Sequence, residues 1–306
     1  MFTLSRRKFL AMAGISGAAT LSGFSVFASM KQNLNRLTIL HTNDTHSRLD
    51  PFPLNDPNFP GMGGYARRAA LINQHRVDDP QLLLLDAGDI FQGTPYFNMF
   101  GGAPELKLMS KMGYDAAAVG NHEFDNGMDG LLEVLPNAGF PFLAANYDFS
   151  KTVLKGKIGS HIILERNGVK TGIYGLGIEP RGLVAPSLYG DMKYIDPIEI
   201  ARDIESTLKN RHRCQLIICL SHLGFSYNHI KVSDVVIAHE TAFTDIIIGG
   251  HTHTLLDPPV KEKNIKGQEV TIGQTGGNGV RLGKIEVLFD SLNQEKLVES
   301  YTTKIF

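Results

Sequence analysis

The chain has 306 residues, of which 42% are hydrophobic and 20% are charged. These values are typical of a globular protein and exclude a disordered, collagen-like or integral membrane chain. The formal net charge is −1, from 30 Lys and Arg residues against 31 Asp and Glu residues. A basic surplus for binding nucleic-acid polymers is therefore excluded. Cys214 and Cys219 lie in one apolar run, and their odd spacing predicts opposite faces of one strand and no mutual disulfide.

The first 28 residues have the pattern of a targeting segment. They begin with basic residues, continue with a stretch rich in Gly, Ala and Ser, and end with small residues near Ala28. This pattern is typical of a secretory signal, and the segment SRRKFL from Ser5 resembles the twin-arginine export pattern. We therefore predict an export signal over residues 1–28 and a periplasmic or extracellular protein with no stable membrane span after cleavage. An uncleaved apolar anchor is the alternative.

From Arg36 onward, short β-rich runs alternate with amphipathic stretches, which predicts an α/β fold. Strands are expected at residues 36–42, 82–88, 116–120, 141–146, 170–177, 215–222, 244–250, 269–274 and 283–290. Helices are expected at residues 64–77, 104–112, 128–138, 197–211 and 232–239. Asp196, Pro197 and Glu199 form a capping box at the start of the fourth helix. Since no repeat or long linker interrupts the chain, we predict one catalytic domain over residues 29–306.

Five of the predicted strands end in turns that carry carboxylate, amide or imidazole side chains close to glycine. These side chains are Asp44 and His46, then Asp89, then Asn121, His122 and Asp125, then His222, and finally His251 and His253. Each turn alone is explained by the preference of Asp, Asn, Gly and His for turns and caps. That explanation does not account for five such turns. Strand ends on one side of an open α/β sheet converge on one crevice, so we expect these turns to meet.

The set offers oxygen and nitrogen ligands without thiolates, which indicates borderline or hard divalent cations and not a structural zinc site of the cysteine type. Seven candidate ligands are too many for one tetrahedral ion, namely Asp44, His46, Asp89, Asn121, His222, His251 and His253. Two ions can share these seven ligands if one carboxylate binds both ions. Asp89 is the candidate for this bridging carboxylate. We predict two divalent ions, with Mn, Zn and Fe as the candidate metals.

Together these turns resemble the motifs of the calcineurin-like metallophosphoesterases, in particular the 5′-nucleotidase branch. The motifs are D-x-H at residues 44–46, GDxFQG at 88–93, GNHEFD at 120–125, SHLG at 221–224 and GGHTH at 249–253. The resemblance spans residues 36–290 and implies a four-layer α/β/β/α sandwich of two mixed β-sheets flanked by helices. It implies one ion held by Asp44, His46, Asp89 and His253, and a second held by Asp89, Asn121, His222 and His251.

The same resemblance makes His122 a catalytic residue that is hydrogen-bonded to Asp125. It implies in-line attack on phosphorus by a metal-bridging hydroxide, while the leaving and non-bridging oxygens need a proton or positive charge. An imidazole paired with a carboxylate supplies either; the alternative role for His122 is to orient a metal ligand. Gln92 and Arg67 are expected to border the pocket. The other histidines are expected to be surface or packing residues, namely His41, His75, His161, His212, His229 and His239.

Members of this branch usually continue into a C-terminal domain that binds the nucleoside, and we expect this chain, which ends at Phe306, to lack it. The expected function is hydrolysis of small phosphate esters, nucleotides above all, by an exported dinuclear phosphoesterase. A separately encoded nucleotidase-domain protein is a candidate partner, which would make the chain the catalytic half of a split 5′-nucleotidase. The alternatives are a broad phosphomonoesterase or phosphodiesterase, a thiosulfohydrolase-like sulfur-ester hydrolase of the same fold, and a non-catalytic metal-binding scaffold subunit.

Overall fold

The computed structural model describes residues 34–290 and 295–306, so the predicted export signal at residues 1–28 lies outside the described residues. The strands are β1 Leu34–Thr42, β2 Leu83–Asp86, β3 Ala116–Ala118, β4 Phe142–Leu143, β5 Tyr147–Asp148, β6 His161–Arg166, β7 Val169–Leu176, β8 Lys193–Tyr194, β9 Leu216–Ser221, β10 Ile246–Gly249, β11 Val260–Lys263, β12 Glu269–Gly273, β13 Arg281–Asp290 and β14 Glu295–Lys304. The α-helices are α1 Tyr65–Asp78, α2 Pro95–Phe100, α3 Ala103–Met112, α4 Gly127–Val134, α5 Pro186–Tyr189, α6 Pro197–Ser206 and α7 Asp234–Glu240. None of these helices has both the length and the apolar composition needed to cross a membrane.

The strands form two six-stranded mixed sheets. The first has the order β14-β13-β1-β2-β3-β4, in which β1 to β4 are parallel and β13 is antiparallel to both of its neighbours. The second has the order β11-β12-β10-β9-β7-β6, in which only the two edge strands are antiparallel. The short strands β5 and β8 pair separately. Because parallel strands end at the same edge, the turns after β1, β2 and β3 are neighbours, and so are those after β9 and β10.

The two sheets pack face to face through a buried apolar layer. Leu37 and Ile39 of β1 lie in this layer together with Ile218 of β9 and Ile246 of β10. Successive strand residues point to opposite faces, so Leu40 of β1 belongs instead to the outer face of its sheet. The strands that are buried on both faces are accordingly apolar almost throughout, as the uninterrupted burial of β2, β9 and β10 shows.

Helices cover the outer face of each sheet. On the first sheet, Leu84 packs in one cluster with Ile72 of α1 and Leu106 of α3. On the second sheet, Ile247 packs in one cluster with Ala201 of α6 and Ile237 of α7. Helices, sheet, sheet and helices therefore form four layers, which confirms the predicted α/β/β/α sandwich.

The nine predicted strands are present, but some predicted bounds are wrong. The strand predicted at residues 116–120 ends at Ala118, because the chain then turns into a 3₁₀ helix at His122–Phe124. The helix predicted at residues 128–138 becomes α4 and a 3₁₀ turn, Leu135–Asn137, that contains Pro136; proline lacks the N–H that would continue an α-helix. The helix predicted at residues 197–211 is α6 followed by a π-helical turn at Thr207–Arg211.

Several elements are not in the sequence prediction, namely α2, α5, β5, β6, β8, β11 and β14. Three of the strands, β6, β11 and β14, lie at the edges of the two sheets. Edge strands commonly carry charged residues that discourage pairing with other chains, and the sequence VKEK of β11 is an example. The polarity of β11 hides it from a search for apolar runs.

Helix α6 begins as predicted, since the Asp196 side chain accepts hydrogen bonds from the backbone N–H groups of Ile198 and Glu199 at 2.7 and 3.4 Å. The cysteine prediction is correct only in part. Cys214 and Cys219 are both free and buried, but both pack in the apolar cluster beneath α6 and α7. The prediction of opposite faces is wrong because Cys214 precedes β9, so the alternation of strand side chains does not extend to it.

Candidate metal centre

The five predicted turns meet at one end of the sandwich. Contacts join them in pairs: the backbone N–H of Asp44 donates to the carbonyl of Gly88 at 2.9 Å, and that of His251 donates to the Asp44 carboxylate at 2.9 Å. His222 of the second sheet reaches the first sheet, where its Nδ1 donates to the carbonyl of Ala87 at 2.7 Å. The carboxyl ends of the two sheets therefore form one site, as the sequence predicts.

Most of the predicted ligands lie in strained turns and not in extended backbone. Five of the seven have positive φ, between 48° and 72°, namely Asp44, His46, Asp89, His251 and His253. This left-handed region is uncommon for residues other than glycine and is found preferentially at functional sites. Gly88 and Gly120 allow the turns to approach each other, because a Cβ on Gly88 would lie 2.8 Å from the backbone nitrogen of Gly120. Asp44 and His46 therefore converge through left-handed conformations and not through the extended turn that their spacing suggests.

Asp89, His222 and His251 form an inner group, whose ligand atoms all lie within 4.8 Å of one another. His222 Nε2 is 3.0 Å from Asp89 Oδ2, and both side chains are buried. Because His222 Nδ1 donates to a carbonyl, its Nε2 is left to face the group. His251 Nδ1 is 2.9 Å from Oδ1 of Asn121, which places the fourth predicted ligand of this ion beside the other three.

Asp44, His46 and His253 form an outer group, whose ligand atoms also lie within 4.8 Å of one another. The Nε2 atoms of His46 and His253 are 2.9 Å apart, and His253 Nε2 is 3.4 Å from Asp44 Oδ1. The Nδ1 atom of His46 faces the carbonyl of Phe91 at 3.3 Å. Asp44 is buried, whereas the His253 side chain is 44% exposed, so this group is open to solvent.

The electrostatics of the site favour a positive charge between these groups. Burial alone would raise the pKa of Asp89, but the facing His222 holds it well below its usual range. Burial alone would lower the pKa of His222, but Asp89 raises it to about 10. The buried Nε2 atom of His222 faces the Asp89 carboxylate at 3.0 Å. Convergent imidazole and carboxylate lone pairs are what divalent cations bind, so the residues present fit the predicted metals.

Asp89 is the residue that links the two groups. It shares the inner group with His222 and His251, and one of its carboxylate oxygens also lies within 4.8 Å of ligand nitrogens of His46 and His122. Its Oδ1 accepts a hydrogen bond from the backbone N–H of His122 at 2.9 Å. This position, between one ligand set and the other, is the one that a bridging carboxylate requires.

His122 is held at the edge of the site by a carboxylate. Its Nδ1 is 2.8 Å from Asp125 Oδ2, and its side chain is 31% exposed. Burial opposes protonation, but the hydrogen bond to Asp125 and the charge of Asp89 raise the pKa of His122 above its ordinary value. Its ring centroid lies 5.3 Å from that of His46. A protonated imidazole in this position would donate a proton or hydrogen bond to an oxygen bound near the outer group.

Glu123 is a buried carboxylate that sequence analysis did not identify. Its Oε2 accepts hydrogen bonds from the backbone N–H groups of Gly120 and Asp89 at 2.6 and 3.0 Å, and its Oε1 accepts one from Ile90 at 2.8 Å. Burial, followed by the charge of Asp89, raises the pKa of Glu123 to about 7. The side chain thereby joins the turn after β2 to the turn after β3. No hydrophobic or ligand pattern marks it, since a glutamate beside His122 looks like an ordinary loop residue.

Asp234 supports the second sheet in a similar way. Its Oδ1 accepts a hydrogen bond from the Ser221 hydroxyl at 2.5 Å, and its Oδ2 occupies the space that a Cβ on Gly249 would need. Burial raises the pKa of Asp234 to about 8. The carboxylate thus packs between the end of β9 and the end of β10, directly beneath the turns that carry His222 and His251.

The remaining sequence expectations concern residues outside the ligand groups. None of the six other histidines belongs to a group of potential ligands in the described ranges 34–290 and 295–306. His239, for example, is exposed and pairs with Glu262 at 2.9 Å. Gln92 is exposed in the turn that also carries Asp89. Arg67 is exposed, and its guanidinium donates to the carbonyl of Gly61.

Comparison with known proteins gives the context of this site. The sequence matches 5′-nucleotidase from the venom of Gloydius brevicauda with 36% identity over 279 residues, which is 83% of this chain and 45% of that protein. The fold resembles the crystal structure of a 5′-nucleotidase precursor from Thermus thermophilus, with a TM-score of 0.78 and 33% identity over 88% of this chain and 54% of the other. The chain spans about half the length of the curated 5′-nucleotidases that it matches.

A third relative shares the fold alone. The Thermus thermophilus sulfate thiohydrolase SoxB has a TM-score of 0.70 and 15% identity, over 88% of this chain and 56% of that one.

The sequence profile of the calcineurin-like phosphoesterase family matches residues 37–255, a range that contains all five turns and every predicted ligand. The chain therefore belongs to the calcineurin-like phosphoesterase family.

Proposed function

We propose that this chain is a dinuclear metal-dependent phosphoesterase that hydrolyses small phosphate monoesters, with nucleotides as the preferred substrates. The observation that carries the proposal is the pair of ligand groups on either side of the buried Asp89. The choice of nucleotides is supported by relatives that are named 5′-nucleotidases.

Each predicted residue has a role in this proposal. Asp44, His46 and His253 would hold one cation, His222, His251 and Asn121 would hold the second, and Asp89 would bind both. When bound, the two cations supply Lewis acidity that activates water and neutralises charge on the phosphoryl group. His122, positioned by Asp125, would supply a proton or positive charge to a phosphate or leaving-group oxygen. Glu123 and Asp234 would hold the turns in place and would not contact the substrate.

Two rival functions have less support. The sulfur-ester hydrolase rests on a likeness that shows the fold alone, since identity to the sulfate thiohydrolase is 15%. The non-catalytic scaffold is opposed by the complete set of ligand side chains and by the presence of the His122–Asp125 pair.

Hydrolysis by the purified full chain tests the proposal. The protein is loaded with Mn²⁺ or Zn²⁺, its metal content is measured, and it is incubated with AMP, nitrophenyl phosphate, bis-nitrophenyl phosphate and a thiosulfate ester. We expect about two metal ions per chain and phosphate release from AMP and nitrophenyl phosphate. Sulfate release alone would favour the sulfur-ester hydrolase, and less than one ion per chain without hydrolysis would favour the scaffold. Adding a separately encoded nucleotidase-domain protein tests whether a partner raises the AMP rate.

We also propose that the protein is exported and that residues 29–306 act as one catalytic unit. The support for export is the twin-arginine-like pattern at Arg6 and Arg7. Replacing both arginines with lysine should retain the protein in the cytoplasm, with cell fractionation as the measurement. Unchanged export of that double variant would contradict the proposal.

A further inference from the structure

A second cavity lies at the opposite end of the sandwich from the candidate metal centre. Its volume is about 640 Å³, and its walls come from the starts of β9, β10 and β12 and from the ends of β13 and β14 that pair with each other. His222, His251 and His253 of the metal centre follow the other ends of β9 and β10, so the two sites are separated by roughly 20 Å, the length of a six-residue strand. Six charged residues line the cavity, namely Lys209, Lys261, Lys266, Lys296, Asp245 and Glu269.

Two of the four lysines have a carboxylate partner and two do not. Lys296 Nζ is 2.5 Å from Asp245 Oδ1, and the Nζ atom of the exposed Lys261 is 3.0 Å from Glu269. Lys209 and the exposed Lys266 form no ion pair with any residue of the described ranges. The cavity carries this positive surplus on a chain whose formal net charge is −1.

The two ammonium groups without an ion pair contact a carbonyl oxygen and an aromatic ring. Lys209 Nζ is 3.4 Å from the carbonyl oxygen of Cys214, and Lys266 Nζ lies 3.4 Å above the ring centroid of Phe243. Burial and then repulsion from Lys296 lower the pKa of Lys209, and the attraction of Asp245 opposes this only in part. A cluster of ammonium groups that repel one another around a cavity is stabilised by a bound anion.

The dimensions and walls of the cavity indicate what kind of anion fits. A volume of about 640 Å³ is in the range of small-molecule sites, which are roughly 300–1,000 Å³. Lysine ammonium groups bind phosphate as point charges, and Phe243 and Leu297 add apolar surface. We propose that this lysine cavity is a second anion site, which binds inorganic phosphate or a phosphate-bearing small molecule independently of the metal centre.

Calorimetric titration of the metal-loaded full chain with inorganic phosphate tests this proposal. The test variant is Lys209→Gln with Lys266→Gln, and the matched control is Lys155→Gln with Lys157→Gln, which removes two exposed lysines from a loop elsewhere. We expect the test variant to bind phosphate at the lysine cavity at least about tenfold more weakly, a loss of about 1.4 kcal/mol. The control should bind like the unmodified chain, and both variants should retain the unmodified rate on nitrophenyl phosphate.

A second titration with a non-hydrolysable phosphonate analogue of AMP distinguishes the two sources of phosphate. Lysine-dependent binding that is tighter for the analogue identifies an organic phosphate as the ligand, and equal or weaker binding of the analogue identifies the phosphate group alone. The proposal is overturned if the test variant binds both probes with the stoichiometry and affinity of the unmodified chain. Because binding is read directly, a chain without phosphoesterase activity would still give a clear result.

Discussion

His41 and His222 are both buried imidazoles, yet their surroundings give them opposite charge preferences. His41 is 2% exposed on β1, and burial alone lowers its pKa to about 4. His222 is fully buried at the end of β9, where the facing carboxylate of Asp89 raises its pKa to about 10. The two pKa values differ mainly because the Asp89 carboxylate lies 3.0 Å from Nε2 of His222. Whether a buried histidine stays neutral or carries a positive charge therefore depends on whether a carboxylate faces its ring nitrogen.

Removing the Asp89 carboxylate should have the largest effect. Asp89→Ala should abolish both activity and the binding of both ions, because Asp89 contacts the inner group and lies within reach of the outer group. The measurements are phosphate release and metal content after dialysis. The control is Asp129→Ala, an exposed aspartate on α4, which should leave both unchanged. A variant that keeps full metal content and activity would refute the bridging role.

His122, like His222, has a carboxylate partner, but its side chain is partly exposed. His122→Asn should keep both ions and reduce kcat by about 10²–10⁴, the usual contribution of a general acid or base. Metal analysis and steady-state kinetics with nitrophenyl phosphate are the measurements. His239→Asn, which removes an exposed ion-paired histidine, should have little effect. A normal kcat in His122→Asn would reduce His122 to a supporting residue.

Glu123 is a buried carboxylate that faces backbone N–H groups and not an imidazole. Glu123→Gln preserves shape but points an amide NH₂ toward backbone N–H groups that now donate to the carboxylate. Losing such a supporting contact typically costs about 10–100-fold in metal affinity or activity. Metal titration is the measurement, with the exposed Glu133→Gln as control. An affinity equal to that of the unmodified chain would show that the turns hold without the carboxylate.

The smallest expected effect concerns His41 and pH. Because the folded pKa of about 4 is below the ordinary 6.5, the unfolded chain binds a proton that the folded chain does not, and stability falls as pH decreases from 6.5 toward 4. The loss should be about 2 kcal/mol at pH 5. Urea unfolding of His41→Gln, which cannot take up that proton, should show a weaker dependence on pH between 7 and 5. Parallel pH profiles of variant and unmodified chain would contradict this expectation.

Sequence patterns identified candidate ligands that the structure brings together, because these residues follow apolar strands that are easy to recognise. The runs before Asp44, Asp89 and His251 are buried as expected, and parallel packing brings their ends together. The patterns did not predict the supporting carboxylates. Glu123 and Asp234 act by accepting hydrogen bonds from groups that are distant in sequence or belong to the backbone, and neither hydrophobic period nor ligand spacing records such contacts.

The sequence patterns also did not predict the backbone conformation of the turns. The spacing of Asp44 and His46 suggests an extended turn, whereas both residues have φ of 48°. The edge strand β11 was missed for a different reason, because charged residues dilute its apolar pattern. Local composition thus indicated which side chains meet, and the tertiary structure determined the directions from which they do so.

The left-handed conformations have a consequence for protein engineering. Five of the seven predicted ligands adopt them, and each such residue costs about 1–3 kcal/mol that the surrounding scaffold must offset. Grafting the seven side chains onto regular strand ends of another protein would aim them incorrectly, even with the identities and order preserved. A transplant has to carry the whole turns, including the glycines at 88 and 120 and the buried glutamate that ties those turns together.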